Sequence, residues 1–200
     1  MVGPDKVGPE KRESLLRAAD RLFHHKGLEH TSIADIASAA EVPLGNVYYY
    51  FKTRGALVKS VTERRLAYIR GLRAEWDALP SPRDRLLAYV KSYESRTEDS
   101  TAHGCPVGGL CVEANKLGGP IARDAGVSFR ETLVWIAEQF RAMGFSEREA
   151  EENAAQLLGG RQGSILLSNT FRDPKYIREE IARRKKWLAG MPAGKERKSK

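Results

Sequence analysis

The hydrophobic pattern of the N-terminal quarter predicts three short helices in close succession. Apolar positions in residues 10–26 recur with a 3.6-residue period, as in an amphipathic helix. Ser32, followed three residues later by an acidic residue, resembles a capping box that starts a second helix over about 33–40. Pro43 cannot continue that helix, and a third is expected to begin there and to end near Phe51. The turn between the second and third helices is then three or four residues long, which is the spacing of a helix-turn-helix.

The remainder of the chain shows the same period in longer stretches. Apolar stripes predict further helices over about 54–78, 83–98, 121–143, 146–171 and 174–189. No stretch alternates with the period of two that strands show, and no hairpin signal interrupts the helices. The sequence therefore predicts an all-α protein of about nine helices.

Breaks in this pattern divide the chain into four parts. The predicted organisation is a flexible N-terminal arm over 1–9, a helix-turn-helix domain over 10–54, a helical domain over 55–189 and a basic disordered tail over 190–200. Two hundred residues are enough for one or two domains with a hydrophobic core.

Composition fits a soluble, helix-rich protein and excludes several other classes. Apolar residues make up 41% of the chain and charged residues 30%. No run approaches the ~18 apolar residues that a membrane span needs, and the polar N-terminus lacks the apolar stretch of a signal peptide. Two cysteines are too few for a disulfide scaffold. We therefore expect a cytoplasmic protein without a membrane partner.

The net charge of +8 is a weak argument for nucleic acid because of where it lies. Residues 1–54 hold 8 Lys and Arg against 7 Asp and Glu. Residues 173–200 hold 10 against 4, so most of the excess is at the C-terminal end. A case for DNA binding has to come from individually placed residues.

Sequence motifs of common enzyme classes are missing from the chain. It has no phosphate-binding loop, no GxGxxG after a strand, no HExxH and no Ser elbow. The remaining enzyme hypothesis is a small thiol-dependent one that uses Cys105 with His103 or His30. A metal site formed by His103, Cys105 and Cys111 would be poorly spaced. We expect a protein that is not an enzyme and that has no cofactor and no metal.

The segment from Ser14 to Val58 resembles the DNA-binding domain of the tetracycline-repressor (TetR) family. It reads SLLRAADRLFHHKGLEHTSIADIASAAEVPLGNVYYYFKTRGALV. The positions that carry the resemblance are Ala19, Leu22, Phe23, Gly27, Thr31, Ile33, Ile36, Ala37, Ala40, Val42, Gly45, Tyr48, Tyr49, Phe51 and Leu57. The predicted helices downstream agree with the family's arrangement, in which three DNA-binding helices are followed by a helical ligand and dimer domain.

This resemblance implies a homodimeric transcription factor, usually a repressor, that releases double-stranded DNA when a small-molecule effector binds. A symmetric dimer places two reading heads on one face of the DNA, so its operator should be palindromic. The alternative is a DNA-binding dimer without an effector, whose second domain only dimerises. Two positions depart from the family pattern. Glu41 stands where Gly is usual, and a positive φ there would cost Glu roughly 1 kcal/mol; Arg54 replaces a commoner Lys.

By the same resemblance, the third helix is the recognition helix and lies in the major groove. Its N-terminal residues Leu44, Gly45 and Asn46 would meet the base edges. Leu44 suits a thymine methyl, Gly45 allows close backbone approach, and Asn46 can donate to and accept from adenine. Val47 and Phe51, four residues apart, would face the core.

The three consecutive tyrosines are interpreted as contacts to the DNA backbone. By resemblance, Tyr49 and Tyr50 would bond phosphates through their hydroxyls, while a phenol ring can pack on the domain. Tyr48 would be partly packed and could also reach the groove; the alternative is that it is only core. Lys52 and Arg54 would add phosphate contacts near the start of the fourth helix.

Thr31 and Ser32 complete the candidate DNA contacts. They would bond phosphate through their hydroxyls and backbone N–H groups at the start of the second helix. The alternative is that both serve only as helix caps.

The last two predicted helices, about 146–171 and 174–189, form a four-helix dimer interface with a symmetry mate in the family that the chain resembles. Apolar positions support the first of them, and Gly159, Gly160 and Gly163 would allow close helix approach. A homodimer through these two helices is therefore expected.

The effector chamber should lie between the helices from about 83 to 170. Its candidate wall residues are Trp76, Tyr89, Tyr93, Leu110, Phe129, Leu133, Trp135, Ile136 and Phe140. The alternative is plain core, since an aromatic stripe at helical spacing is more often core than pocket.

The stretch HGCPVGGLC, residues 103–111, is the most specific part of the second domain. Pro106 suits the first position of a helix, which makes Cys105 its N-cap. A thiol there lies at the positive end of the helix dipole, where a thiolate is favoured, and His103 is two residues away. The stretch resembles Gly-Cys segments of TetR-type regulators that sense electrophiles or oxidants through a cysteine. The alternative is that Cys105 is a small buried apolar residue.

Overall fold

The structure, a computed structural model, describes residues 8–192, and the regular elements in this range are all helices. In chain order the α-helices are α1 (Pro9–Lys26), α2 (Ile33–Ala39), α3 (Leu44–Tyr50), α4 (Arg54–Asp77), α5 (Pro82–Lys91), α6 (Thr97–His103), α7 (Pro106–Leu117), α8 (Gly119–Ala125), α9 (Val127–Ala142), α10 (Glu147–Phe171) and α11 (Lys175–Ala189), with a 3-10 turn over Glu94–Arg96. No strand occurs in this range, so the prediction of an all-α fold is confirmed. Most of the predicted arm and tail lies outside the described residues.

Two predicted helices are divided in the structure. The stretch predicted over 83–98 is α5, the 3-10 turn and the start of α6. α5 ends at Lys91, and the hydroxyl of its C-cap Ser92 donates to the Tyr89 carbonyl at 2.7 Å and so competes with the next helical hydrogen bond. The stretch predicted over 121–143 is parts of α8 and α9, divided at Gly126. Glycine is about 1 kcal/mol less favourable than Ala in a helix interior, which favours a break there.

The described chain forms two compact units. The first contains the residues up to Leu66 together with 106–126, and therefore α1, α2, α3, the first half of α4, α7 and α8. Its buried apolar core consists of Leu15, Leu16, Ala18, Ala19, Phe23, Leu28, Ile36, Ala37, Ala40, Val42, Val47, Phe51, Leu57, Val58, Val61 and Leu110. The capping box predicted at Ser32 is present, because the Ser32 hydroxyl accepts the Asp35 N–H and the Asp35 carboxylate accepts the Ser32 N–H.

Two charged side chains tie α7 to the rest of the first unit. Arg65 of α4 is only 7% exposed; its Nε donates to Asp20 Oδ1 at 2.5 Å, and its guanidinium also donates to the Pro106 carbonyl. The half-buried Glu113 of α7 accepts the Leu28 N–H at 2.6 Å in the loop after α1. Helices α1, α4 and α7 thus share hydrogen bonds as well as an apolar core.

The second unit contains residues 67–105 and the chain from 127 onward, and therefore the second half of α4, α5, α6, α9, α10 and α11. Its buried core consists of Leu86, Tyr89, Val90, Tyr93, Trp135, Ile136, Ala137, Phe140, Met143, Ala150, Ala154, Leu157, Leu158, Ile165, Ile177, Ile181 and Leu188. The indole N–H of Trp135 donates to Asp77 Oδ1 at 3.0 Å, which fastens α9 to the end of α4.

Gly160 of α10 lies directly beneath an ion pair of α11. A Cβ added at Gly160 would collide with the Glu180 carboxylate and the Arg184 guanidinium, which form an ion pair at 2.6 Å. At Gly159 and Gly163 an added Cβ would meet nothing within 4 Å. Of the three glycines predicted to allow close helix approach, Gly160 therefore serves packing within the subunit, whereas the other two leave space on the outer face of α10.

No helix in the described part of the chain combines the length and the apolar character of a membrane span.

Candidate functional site

Helix α3 has one buried face and one exposed face, as the sequence predicted. Val47 is fully buried and Phe51 is 4% exposed, so positions four residues apart anchor the helix in the core of the first unit. Tyr48 and Tyr49 are 52% and 66% exposed. Large aromatic side chains on a surface helix gain little from the fold itself, so their exposure marks this face as a candidate binding surface.

The turn that sets the angle of α3 has a left-handed residue at Glu41, with φ of 56°. The Val42 N–H donates to the Ala37 carbonyl at 3.0 Å, and the Val42 side chain is buried. This is the backbone geometry that Gly usually provides after a helix, here adopted by Glu at a cost of about 1 kcal/mol. The turn therefore keeps its shape despite the departure from the family pattern, and buried contacts compensate for the strain.

The N-terminal end of α3 is open. Leu44 is 48% exposed, and nothing lies within 4 Å of a Cβ added at Gly45. Asn46 is half-buried, and its backbone N–H bonds the Pro43 carbonyl at 2.9 Å. A side chain amide at this position can donate and accept at a base edge, as reading adenine requires.

The three tyrosines of α3 differ in their surroundings. Tyr50 is half-buried, and its hydroxyl donates to the Gly8 carbonyl at 3.4 Å, so it fastens the start of α1. The Tyr49 ring packs edge-on against Tyr50 at 5.2 Å between centroids and points its exposed part outward. Tyr48 was expected either to be partly packed and reach the groove or to be only core. Half of its surface is exposed, which favours the first interpretation.

Thr31 and Ser32 are used inside the fold. Thr31 is 1% exposed, and its hydroxyl donates to the Gly27 carbonyl at 2.7 Å. The exposed Ser32 caps α2, and its hydrogen bonds to Asp35 hold the pKa of that carboxyl below its ordinary value. For Thr31 the structure favours the alternative interpretation, a structural role, since a buried hydroxyl with a partner is not available to a phosphate.

Arg54 and Lys52 also differ. The Arg54 guanidinium donates to the Thr31 carbonyl at 2.7 Å and to the Leu28 carbonyl, so it ties the loop before α2 to the start of α4. Lys52 is exposed between α3 and α4. Both residues are exposed, but the Arg54 guanidinium is already bonded to backbone carbonyls, so Lys52 is the stronger candidate for a phosphate contact.

The candidate effector residues lie mainly in one cluster of the second unit. Tyr93 and Ile136 belong to its buried core, and Trp76, Phe129 and Leu133 pack against that core while remaining half-buried. These side chains stand on α4, α5 and α9 or directly after them.

Leu110, Cys105 and His103 are placed differently. Leu110 belongs to the core of the first unit, so it does not line a chamber in the second unit. Cys105 directly precedes α7 and packs, half-buried, against the core of the second unit. His103 is exposed at the end of α6. Neither Cys105 nor Cys111 forms a disulfide; the Cys111 thiol donates to the Ala125 carbonyl at 3.1 Å.

Arg161 is a cluster member that sequence reasoning missed. Its guanidinium carbon lies 3.8 Å from the centre of the Tyr93 ring and 5.6 Å from that of Tyr89. A signal was present, because Leu157, Arg161 and Ile165 follow one another at intervals of four on the inward stripe of α10. A basic residue in that stripe departs from the pattern of an amphipathic helix, whose inward positions are apolar.

Two family models match the sequence. One, described as "Bacterial regulatory proteins, tetR family", matches residues 15–61, and another, described as "Transcriptional regulator LmrA/YxaF-like, C-terminal domain", matches residues 82–183. The chain is 30% identical to the HTH-type transcriptional regulator LmrA of Bacillus subtilis over 170 residues, which cover 82% of this chain and 89% of that one. The chain belongs to the TetR family of transcriptional regulators.

Solved structures of TetR-type regulators have the same fold. A TetR transcriptional regulator from Legionella pneumophila superposes with a TM-score of 0.80 at 17% identity, covering 94% of this chain and 98% of that one. The reduced form of E. coli NemR superposes with a TM-score of 0.75 at 22% identity, covering 88% and 96%. At these identities the likeness shows the fold alone.

Membership of the TetR family confirms that the chain is a DNA-binding transcriptional regulator with an N-terminal helix-turn-helix and a C-terminal helical domain. The family and the relatives are transcriptional regulators and not enzymes, which confirms the prediction made from the missing catalytic motifs. TetR regulators usually act as dimers on DNA.

Proposed function

We propose that this TetR-family regulator is a repressor that binds a palindromic operator as a homodimer and is released by a small-molecule or thiol-reactive effector. The observation that carries the DNA-binding part is the exposed face of α3, fixed by the fully buried Val47 and by Phe51. A short helix anchored in this way presents its N-terminal end and its aromatic side chains to a partner as a rigid surface.

On this face Leu44, Gly45 and Asn46 read base edges, and Tyr48, Tyr49 and Lys52 contact the backbone. Exposure of Leu44 and the open space around Gly45 support close approach to a groove. The exposed phenol of Tyr49 packs its ring on Tyr50, which leaves the hydroxyl for a phosphate.

The homodimer interface is proposed on the outer face of α10, with α11 beside it. Leu166, Leu167 and Phe171 of α10 are 65%, 43% and 59% exposed. Gly159 and Gly163 continue the same side of the helix and carry open space. Exposed apolar side chains next to small residues support a helix from a second copy that packs closely there.

Release by an effector is proposed to act through the second unit. Its core carries the aromatic cluster around Tyr93, with half-buried Cys105 beside it. Helix α4 contributes its first half to one unit and its second half to the other. A displacement of the second half of α4 by a bound or covalently attached molecule would move the reading head of that subunit, and operator affinity would fall.

A selection of bound sequences from random DNA tests this function. We expect a palindromic site, and light scattering in solution should give the mass of a dimer. In gel shifts on that site, Tyr49→Phe should weaken operator and random DNA alike by a modest factor, whereas Asn46→Ala should change the sequence preference. A monomer that selects no sequence would contradict the proposal.

Release is tested on the selected operator with hydrophobic and thiol-reactive compounds. Loss of response in Cys105→Ser to thiol-reactive compounds alone would assign the cysteine to sensing. A dimer that binds the operator but responds to no compound would instead be the effector-independent alternative.

A further inference from the structure

The core of the second unit contains buried polar atoms whose hydrogen-bonding capacity is unused. The hydroxyl oxygens of Tyr89 and Tyr93 and the Nε of Arg161 are buried without a partner among the described residues. Buried polar groups are paired in nearly all native proteins, because an unpaired one keeps its full desolvation penalty. Three such groups in one cluster indicate a partner that the chain does not itself supply.

The three side chains form one cluster between α5 and α10. The Arg161 guanidinium stacks on the Tyr93 ring at 3.8 Å, and the Tyr89 and Tyr93 rings meet edge to face at 5.1 Å. Stacking fixes the plane of the guanidinium, so the direction of its N–H groups is set before any ligand arrives.

The cluster is electrically positive. The Arg161 guanidinium lies against the rings of Tyr93 and Tyr89, and no ion pair between described residues includes it. An arginine side chain is not deprotonated in proteins, so the guanidinium is charged. Burial raises the pKa of Tyr93 well above its ordinary value, so its hydroxyl is a neutral donor at physiological pH. One cation and neutral donors without an anionic acceptor are complementary to a ligand with a single negative charge.

The surroundings of the cluster are aromatic. Trp76 packs edge-on against Tyr89 at 5.8 Å and lies 5.5 Å from Trp135, measured between ring centroids. Trp76, Phe129 and Leu133 are half-buried at the margin of this core, so apolar surface continues outward from it. A flat apolar body joined to a singly charged acid matches both parts of the site.

We propose that Arg161, Tyr89 and Tyr93 bind the anionic end of the effector, and that the effector is a planar aromatic carboxylate. A carboxylate has two oxygens that accept from a guanidinium and from hydroxyls at the same time. The inference rests on the proposed function, since it assigns a chemical class to the effector of a ligand-released regulator.

Binding of 2-naphthoate and of its neutral isostere 2-naphthamide to the full-length wild-type protein tests the charge requirement. We expect saturable binding of the acid by titration calorimetry, with the amide weaker by about tenfold or more because charge-assisted hydrogen bonds are roughly twice as strong as neutral ones. Benzoate and 4-biphenylcarboxylate vary the size of the apolar body. Equal affinity for acid and amide, or no binding of any of the three acids, would overturn the proposal.

Variants of the cluster test the residues. Arg161→Met should weaken 2-naphthoate by about tenfold or more, and Arg161→Lys should keep part of the affinity because the charge remains. Tyr93→Phe should weaken the acid more than the amide, because a hydroxyl donates more strongly to a carboxylate than to an amide carbonyl. The matched control is Arg148→Met, an exposed arginine on the same helix that pairs with Glu152. Unchanged acid binding in Arg161→Met would overturn the assignment; if that variant does not fold, Tyr93→Phe and the acid–amide comparison decide it.

Failure of this inference and failure of the proposed function give different results. Operator selection requires no ligand. A dimer that selects a palindrome but binds acid and amide equally would support the proposed regulator and contradict the proposed anion site. A protein that binds 2-naphthoate through Arg161 but selects no DNA sequence would support the anion site and contradict the proposed repressor function.

Discussion

The two units of the molecule differ in whether all of their buried polar side-chain atoms have hydrogen-bond partners. In the first unit, the Thr31 hydroxyl, the Arg65 guanidinium and the Glu113 carboxylate all have hydrogen-bond partners. In the second unit, Tyr93 and Arg161 bury polar atoms without one. Within the described residues, every buried side-chain nitrogen or oxygen atom that lacks a hydrogen-bond partner belongs to the second unit.

This difference fits the tasks that we propose for the two units, DNA reading for the first and effector sensing for the second. A reading head gains affinity when its contact groups are already held in place, since ordering them on binding reduces the free energy gained. A sensor shifts between states only as far as its ligand interacts differently with them. In the proposed sensor, unused hydrogen-bonding capacity is therefore a source of ligand-dependent free energy, whereas unpaired groups in the DNA-reading unit would only make that unit less rigid.

The largest effect is expected when a buried hydrogen-bonding side chain is removed from the first unit. Arg65→Met deletes the hydrogen bonds to Asp20 and to the Pro106 carbonyl, and we expect a loss of about 3 kcal/mol in the free energy of unfolding, at the lower end for a buried ion pair because Asp20 is partly exposed. Urea denaturation at fixed protein concentration measures it. Arg64→Met is the matched control, since Arg64 pairs with Glu13 and Asp20 at the surface and should cost under ~1 kcal/mol. Equal losses of unfolding free energy in the two variants would contradict the claim that burial makes the Arg65 hydrogen bonds more stabilising than those of Arg64.

Thr31→Val removes a single buried hydroxyl from the first unit. The substitution preserves the shape of a side chain that is 1% exposed but leaves the Gly27 carbonyl without its 2.7 Å hydrogen bond. We expect a loss of about 1–2 kcal/mol, the usual effect of removing one partner of a buried hydrogen bond. Thermal unfolding and gel shifts should show lower stability with little change in sequence preference. A stable variant that loses operator binding would assign Thr31 to the DNA contact after all.

Tyr93→Phe should have the opposite sign in the ligand-free protein. Its hydroxyl is buried without a partner, so removal abolishes a desolvation penalty, and we expect a gain of about 1 kcal/mol. Together with Thr31→Val, this change separates satisfied from unsatisfied hydroxyls at nearly constant volume. A destabilised Tyr93→Phe protein would show that the hydroxyl has a partner in solution, and the contrast between the units would disappear.

Much of the fold could be predicted from sequence because the decisive signals are local. Ser32 with Asp35 starts α2, Pro43 stops the chain from continuing it, and the spacing of Val47 and Phe51 orients α3. Each of these signals acts within four residues, which is the distance over which periodicity and capping apply.

The remaining placements depend on contacts that are distant in sequence. Thr31 could face DNA or the fold, and its burial with a hydrogen bond to the Gly27 carbonyl favours the fold, whereas the exposed Arg54 bonds the Thr31 carbonyl. Leu110 belongs to the first unit because α7 packs there, held by Glu113 at Leu28, 85 residues away. Arg161 was readable as a basic residue in an apolar stripe, but arginines usually reach the surface with their charged end, so sequence alone does not give its burial.

The smallest expected effect concerns backbone strain, which occurs once in each unit. Among the described residues, Glu41 in the first unit and Arg172 in the second are the non-glycine residues with positive φ, at 56° and 55°. Glu41→Gly should raise the free energy of unfolding by about 0.5 kcal/mol, since relief of about 1 kcal/mol is reduced by the greater freedom of Gly in the unfolded chain. Arg172→Gly relieves the same strain but loses the hydrogen bond from Arg172 to the Ala102 carbonyl at 2.6 Å, so its net effect should be near zero.

Urea midpoints of the two glycine variants and the wild type, measured at one protein concentration, give this comparison directly. Glu41→Gly should also keep the operator preference, because the left-handed turn between α2 and α3 is the conformation that Gly adopts most readily. A larger gain from Arg172→Gly than from Glu41→Gly would show that the strain in the second unit is the less compensated one. The contrast between a satisfied reading head and an unsatisfied sensor would then extend from side chains to the backbone.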